Sequence, residues 1–174
     1  MTSSLQEQKR DMLFSKLDRN NDGAIDESDI QAHISGFLTD FQVPPDSPQA
    51  RDIHESGAAL WRQLNHADAD GNRVITREEY VAAIDNDTVE QIYVSMNDSF
   101  FKIIDSDGDG RVTEEELAHA LRRDGIAGGD VHAAFQKLDT DGDGHITKEE
   151  WNKATREMLL SSDPNAAGSV LLGV

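Results

Sequence analysis

Residues 105–116 read Asp105-Ser-Asp107-Gly-Asp109-Gly110-Arg111-Val112-Thr113-Glu-Glu-Glu116, and residues 139–150 read Asp139-Thr-Asp141-Gly-Asp143-Gly144-His145-Ile146-Thr147-Lys-Glu-Glu150. Both segments place carboxylates at positions 1, 3 and 5, Gly at 6, a branched apolar residue at 8 and Glu at 12. That pattern suits a hard divalent cation of calcium's size, which takes six to eight oxygens at about 2.3–2.6 Å. A single chain supplies such a shell by winding around the ion. Alternate side chains point inward, Gly at 6 makes the sharp turn, and position 7 (Arg111, His145) offers only its backbone carbonyl. Glu116 and Glu150 then close the shell with both oxygens from the first turn of the next helix. Two such loops 34 residues apart imply calcium binding.

The pattern returns at Asp18-Arg-Asn20-Asn-Asp22-Gly23-Ala24-Ile25-Asp26-Glu-Ser-Asp29. Here the ligand positions are Asp18, Asn20, Asp22, Ala24 (through its carbonyl), Asp26 and Asp29. Position 12 is Asp29, one methylene shorter than Glu, which favours one-oxygen ligation and tolerance of magnesium. A fourth loop has two registers. Placing Gly71 at position 6 leaves Arg77 at position 12, with no closing carboxylate. Starting at Asp68 gives Asp70 at 3, Asn72 at 5, Val74 at 7, Ile75 at 8 and Glu79 at 12, with only Arg73 at position 6 out of pattern. The flanks decide for 68–79. The positions one and four before each loop are apolar (Leu17 and Phe14, Ile104 and Phe101, Leu138 and Phe135), and Ala67 and Leu64 match them. Arg73 must then adopt φ > 0, at a cost on the order of 1 kcal/mol. Three or four calcium sites are therefore expected, with magnesium competing mainly at the first loop.

Each loop needs a helix on either side, so the 174 residues hold four helix–loop–helix units in two pairs, an all-α fold. The pairs are placed at 1–86 and 87–160, followed by a tail at 161–174. Loop starts are 50, 37 and 34 residues apart. The wide first interval contains Pro44, Pro45 and Pro48, which end a helix running from about Glu27 to Phe41. The next helix is expected from about Gln49 to Asn65, with Ile53, Ala58, Leu60, Trp61 and Leu64 buried. Asp87 with Glu90, or Thr88 with Gln91, has capping-box spacing and would start a new helix. Asp130 is the expected cap of the helix entering the last loop. The apolar end, Val170-Leu171-Leu172-Gly-Val174, either docks on the protein's own helices or serves as a partner-binding motif.

Net charge is −18, and fifteen of the 34 acids occupy ligand positions. The acidity is thus largely that of the ion sites, and it argues against nucleic acid or an anionic membrane as partner. The absence of Cys excludes thiol chemistry and zinc–sulfur sites. No secretory leader, myristoylation pattern or apolar span is visible, so a cytoplasmic protein is expected. The histidines lack metal-ligand spacing, Trp61 and Trp151 read as packing residues, and no nucleophile–base arrangement points to an enzyme.

Four loops with a long proline-broken first interval, a short mid-chain break and Asp29 at position 12 resemble the sarcoplasmic calcium-binding protein family of EF-hand proteins. Within that family the likeness is to the bacterial, calerythrin-like members. It covers about Gln6 to Met158. The resemblance implies a compact helical molecule with short β-bridges between paired loops, Ile25 with Ile75 and Val112 with Ile146. It also implies a buffering role, with one or more hands silent. The methionines add to this, because Met12, Met96 and Met158 are scattered along the chain. A calcium sensor instead exposes a methionine-rich groove. A calcium buffer is the first expectation and a sensor regulating a protein partner the alternative. A monomer is expected, and no protein partner is evident from the sequence.

Overall fold

In the computed structural model, which describes residues 4–83, 86–123 and 128–172, helix α1 (Leu5–Leu17) opens on a reciprocal cap. The Ser4 hydroxyl accepts from the Glu7 amide, and the Glu7 carboxylate accepts from the Ser4 amide. The helix buries Leu13, Phe14 and Leu17. Helix α2 (Glu27–Asp40) leaves the first loop and buries Ile30, Ile34, Phe37 and Leu38. It ends one residue before the expected Phe41, which is its C-cap.

Helix α3 (Pro48–Leu64) starts on the third proline of the interval, with Ser47 as N-cap. Proline is tolerated at the first helical position because its missing N–H would have had no intrahelical partner. Ile53, Leu60, Trp61 and Leu64 are buried as expected, but Ala58 is exposed. The residue facing inward is Gly57, three before Leu60 and four after Ile53, where a Cβ would overlap Ile34 Cδ1 on α2. The glycine is what allows α2 and α3 to approach.

Helix α4 (Arg77–Ala83) leaves the second loop and α5 (Asn86–Ile104) enters the third. Because α5 already includes Asn86, Asp87 and Thr88 lie inside its first turn and not at its cap; residues 84 and 85 lie outside the described ones. The third and fourth loops are flanked by α6 (Glu114–Arg123), α7 (Gly128–Leu138) and α8 (Lys148–Leu160). Helix α7 begins two residues before Asp130, so that residue too lies inside a first turn and not at the cap.

Paired loops meet through two-residue antiparallel bridges. Strand β1 (Ala24–Ile25) pairs with β2 (Ile75–Thr76), and β3 (Arg111–Val112) with β4 (Ile146–Thr147). Ile25 faces Ile75 and Val112 faces Ile146, all four fully buried. The chain divides into two compact units, up to Ser99 and from Phe100 onward. Among the described residues no helix is long and apolar enough to cross a membrane.

The tail folds back within the second unit. A 3₁₀ turn (Ala167–Leu172) packs against α8 and α7, burying Ser169 and Leu171. Gly168 lies against α8 so closely that a Cβ would overlap the Ala154 carbonyl oxygen and the Met158 amide nitrogen. Backbone atoms of a helix cannot step aside, so Gly168→Ala is expected to lift the tail, at about 1–3 kcal/mol. Limited proteolysis should then cut within 161–166 far faster than in the parent. Parent-like resistance and an unchanged melt would reject this packing.

Candidate metal centres

The four loops share one hydrogen-bond scheme, in which position 1 gathers the turn. Oδ1 and Oδ2 of Asp139 accept from the amides of Gly142, Asp143 and Gly144 at 2.8–3.1 Å. Asp105 does the same with Gly108, Asp109 and Gly110, and Asp68 with Gly71, Asn72 and Arg73. Asp18 accepts from Asp22 and Gly23. Position 3 then accepts from the amide of position 5 (Asn20, Asp70, Asp107 and Asp141 from Asp22, Asn72, Asp109 and Asp143). Position 5 accepts in turn from position 7: Ala24, Val74, Arg111 and His145 all donate. With those amides turned to side chains, the remaining oxygens are left to converge.

Position 12 spans the mouth of each loop. Glu150 Oε1 accepts from the Thr140 amide at position 2, and Oε2 from the Thr147 amide at position 9. Glu116 takes Ser106 and Thr113, and Glu79 takes Ala69 and Thr76. Asp29, although shorter, reaches the same two places: Oδ1 accepts from Arg19 at 3.0 Å and Asn20 at 3.3 Å, and Oδ2 from Asp26 at 3.0 Å. In spite of its shorter side chain it therefore meets amides at the same two positions as the glutamates. Asp29 is also buried.

In three loops the acids converge on a common centre. One carboxylate oxygen from each of Asp68, Asp70 and Glu79 lies within 4.8 Å of the others, and so do those of Asp105, Asp107 and Glu116, and of Asp139, Asp141 and Glu150. Oxygens on a sphere of calcium–oxygen radius are at most about 4.6–5.2 Å apart, so each trio fits one ion. All-oxygen donor sets with a carboxylate majority suit calcium or magnesium and not a soft metal. The first loop has the amide Asn20 at position 3, whose Nδ2 donates to Asp22 Oδ2 at 2.9 Å. Asp26 there accepts through Oδ1 from the Ser28 amide and hydroxyl and the Asp29 amide, capping α2. That oxygen serves the helix start.

The acids are held ready for a cation. Burial works against the charge on Glu150, but the amides and hydroxyls of Thr147 and Thr140 outweigh it and bring its carboxyl down to about 2. Burial opposes the charge on Glu116 as well, and Thr113 and Ser106 overcome it. The Thr76 amide and hydroxyl, then the Ala69 amide, lower Glu79. Asp105 goes the other way, because burial there outweighs the three amides. The three closing glutamates, held below the usual carboxylate range, are anionic near neutral pH, where protons offer a cation little competition.

Arg73 adopts φ 64°, the left-handed backbone its register required, where Gly23, Gly110 and Gly144 have 85–89°. Its guanidinium swings to Glu27 Oε2 at 3.4 Å with the side chain largely exposed, an ion pair worth at most about 1 kcal/mol. Relieving the strain by Arg73→Gly is expected to tighten ion binding at 68–79 by roughly fivefold, about 1 kcal/mol. Site-resolved titration checks this, and an unchanged affinity would show that the loop carries no strain there.

Several participants were not singled out from the sequence. Position 4 is left-handed in every loop, at Asn21 (φ 57°) as well as Gly71, Gly108 and Gly142 (73–74°). The threonines at position 9, Thr76, Thr113 and Thr147, donate their hydroxyls to the closing Glu at 2.9 Å. The Thr-x-x-Glu capping box in those segments was a signal that could have found them.

Residues 95–156 match the EF-hand domain pair family and residues 10–34 the EF hand family. A solved Streptomyces coelicolor calcium-binding protein is 30% identical with a TM-score of 0.73, over 88% of this chain and 97% of that one. Sarcoplasmic calcium-binding protein from amphioxus, 23% identical, has a TM-score of 0.78 over 100% of this chain and 99% of its own, a likeness of fold. Among curated proteins, the probable calcium-binding protein CML18 of Arabidopsis thaliana is 27% identical over 66% of this chain and 62% of its own length. The chain spans less than two thirds of the curated relatives it matches.

Proposed function

The chain belongs to the EF-hand family of calcium-binding proteins, and from that premise we propose that it is an intracellular calcium buffer, a monomer that binds and releases the ion without catalysis. The hands work as two pairs, divided near residue 86. The ligands are Asp18, Asn20, Asp22, Ala24, Asp26 and Asp29; Asp68, Asp70, Asn72, Val74 and Glu79; Asp105, Asp107, Asp109, Arg111 and Glu116; and Asp139, Asp141, Asp143, His145 and Glu150, with Ala24, Val74, Arg111 and His145 ligating through carbonyls. Loops 105–116 and 139–150 are the strongest, because each combines four carboxylates with glycine at position 6 and glutamate at position 12.

The observation that carries the buffer reading is the surface. Among the described residues Val81 is the exposed large hydrophobic side chain, at 42%. Met96 is buried, Met12 and Met158 are half-buried, and the tail covers part of α7 and α8. A sensor needs a soft apolar groove to repack on its target. The second reading, regulation of a partner, is favoured by one observation, that the Streptomyces coelicolor relative is described in calcium-mediated regulation. ANS fluorescence with and without calcium separates the two: little change is expected, and a large calcium-induced rise would replace the buffer with a sensor. Calorimetric titration in competing magnesium counts the sites.

Magnesium should compete mainly at 18–29, where the position-12 carboxylate is the short Asp29. Asp29→Glu is expected to raise that loop's preference for calcium over magnesium by restoring two-oxygen ligation. Unchanged selectivity would mean that α2 already holds Asp29 close enough to supply it.

A further inference from the structure

In the third and fourth hands the closing glutamate receives a donor that the first two hands lack. Thr140 donates both its amide and its hydroxyl to Glu150 Oε1 at 2.8 Å. Ser106 does the same to Glu116 Oε1, again at 2.8 Å for both. Position 2 of the other loops is Arg19 and Ala69, where only amides reach the corresponding oxygen, the nearer at 3.0 Å. The other oxygen, Oε2, takes an amide and a threonine hydroxyl from position 9 in hands two, three and four alike. Glu116 and Glu150 are thus bracketed by four donors, Glu79 by three. From this difference we infer that the position-2 hydroxyls of Ser106 and Thr140 are positioning residues for the ion, holding the two-oxygen ligand across the loop mouth and slowing calcium release.

The physical argument is one of preorganisation. A glutamate in the first turn of a helix loses side-chain freedom when it ligates, and a bidentate ligand must present both oxygens at once. A hydroxyl anchored on the far side of the loop fixes the rotation of the carboxylate about its last bond, which an amide at one point does less firmly. Each carboxylate oxygen has two lone pairs and tolerates several partners, so donors and ion share it. A bracket already formed before the ion arrives leaves association unchanged and acts on dissociation, where most affinity differences between related complexes lie. Its size should be that of one hydrogen bond to a charged group, on the order of tenfold.

The inference rests on the calcium-binding reading above, and the experiment keeps the two apart. Calcium release from the full chain is followed after mixing with chelator, and equilibrium titration is followed at the backbone amides of Gly110 and Gly144. Thr140→Val and Ser106→Ala are each expected to speed release from their own loop by about tenfold, with the other loop and the association rate unchanged. Thr140→Ser and Ser106→Thr keep the hydroxyl and should release at the parent rate, whereas Ala69→Ser should slow release from the second loop. Parent-like release by Thr140→Val and Ser106→Ala, loss in both loops alike, or a Thr140→Ser variant as fast as Thr140→Val would overturn the assignment. A parent chain that gives no calcium-dependent shift at either glycine overturns the calcium-binding reading itself.

Discussion

Glu150→Gln is expected to weaken calcium at 139–150 by on the order of a hundredfold or more, roughly 2.8 kcal/mol, and Glu116→Gln to do the same at 105–116. The loss has two parts. One is the charge: glutamine presents a single neutral carbonyl oxygen where the ion expects two anionic ones. The other is the bracket. Both oxygens of Glu150 accept, one from Thr140 and the other from Thr147. A glutamine must turn its NH₂ towards one of these, and the backbone amide there cannot accept, so one arm is broken in the free loop as well. Calorimetry on each variant should find one site fewer in the tight class. If either binds like the parent, position 12 has been misplaced and the loop register with it.

Chelation is expected to have the largest effect on the protein as a whole. Without ions each loop holds its acids together against mutual repulsion, in a chain of net charge −18. A ligand that binds only the folded state stabilises it by RT ln(1 + [L]/Kd), about 2.7 kcal/mol per site at a hundredfold excess. The three loops with converging acid trios would together add roughly 8 kcal/mol, comparable to the ~5–15 kcal/mol of an ordinary domain. At about 2–4 °C per kcal/mol for a chain of this length, calcium should raise the melting temperature by tens of degrees and chelation should leave a loosened, helix-poor chain. Magnesium should recover part of the difference. Thermal melts in chelator, magnesium and calcium decide this, and an apo form melting within a few degrees of the calcium form would show that the apolar core holds the fold without the ions.

What was legible from residue order alone is what depends on short range. A calcium loop is built within twelve residues, so its ligands, its turn glycine and its closing acid can be read by counting. The register of 68–79 was legible for the same reason in spite of Arg73: Ile75 faces Ile25 in the bridge and is fully buried. The alternative register, two residues earlier, would have put Arg73 in place of Ile75 opposite Ile25. The proline-broken interval is equally local, and the helices on either side of it followed to within a residue, whereas α5 and α7 begin ahead of the caps expected at 87–88 and at Asp130.

The rest was decided by neighbours far apart in the chain. That Gly57 and not Ala58 faces inward depends on Ile34, on another helix. That the apolar tail docks depends on Gly168 finding the backbone of α8 at Ala154 and Met158. Asp26 could be counted as a ligand, but only the folded turn commits its Oδ1 to the start of α2. Asp29 reads as one methylene too short, yet the helix carries it to the same amides that a glutamate meets in the other loops. Residue spacing determines which groups can ligate; the distance between packed helices determines how far each must reach, because that distance is set by side chains with no place in the loop.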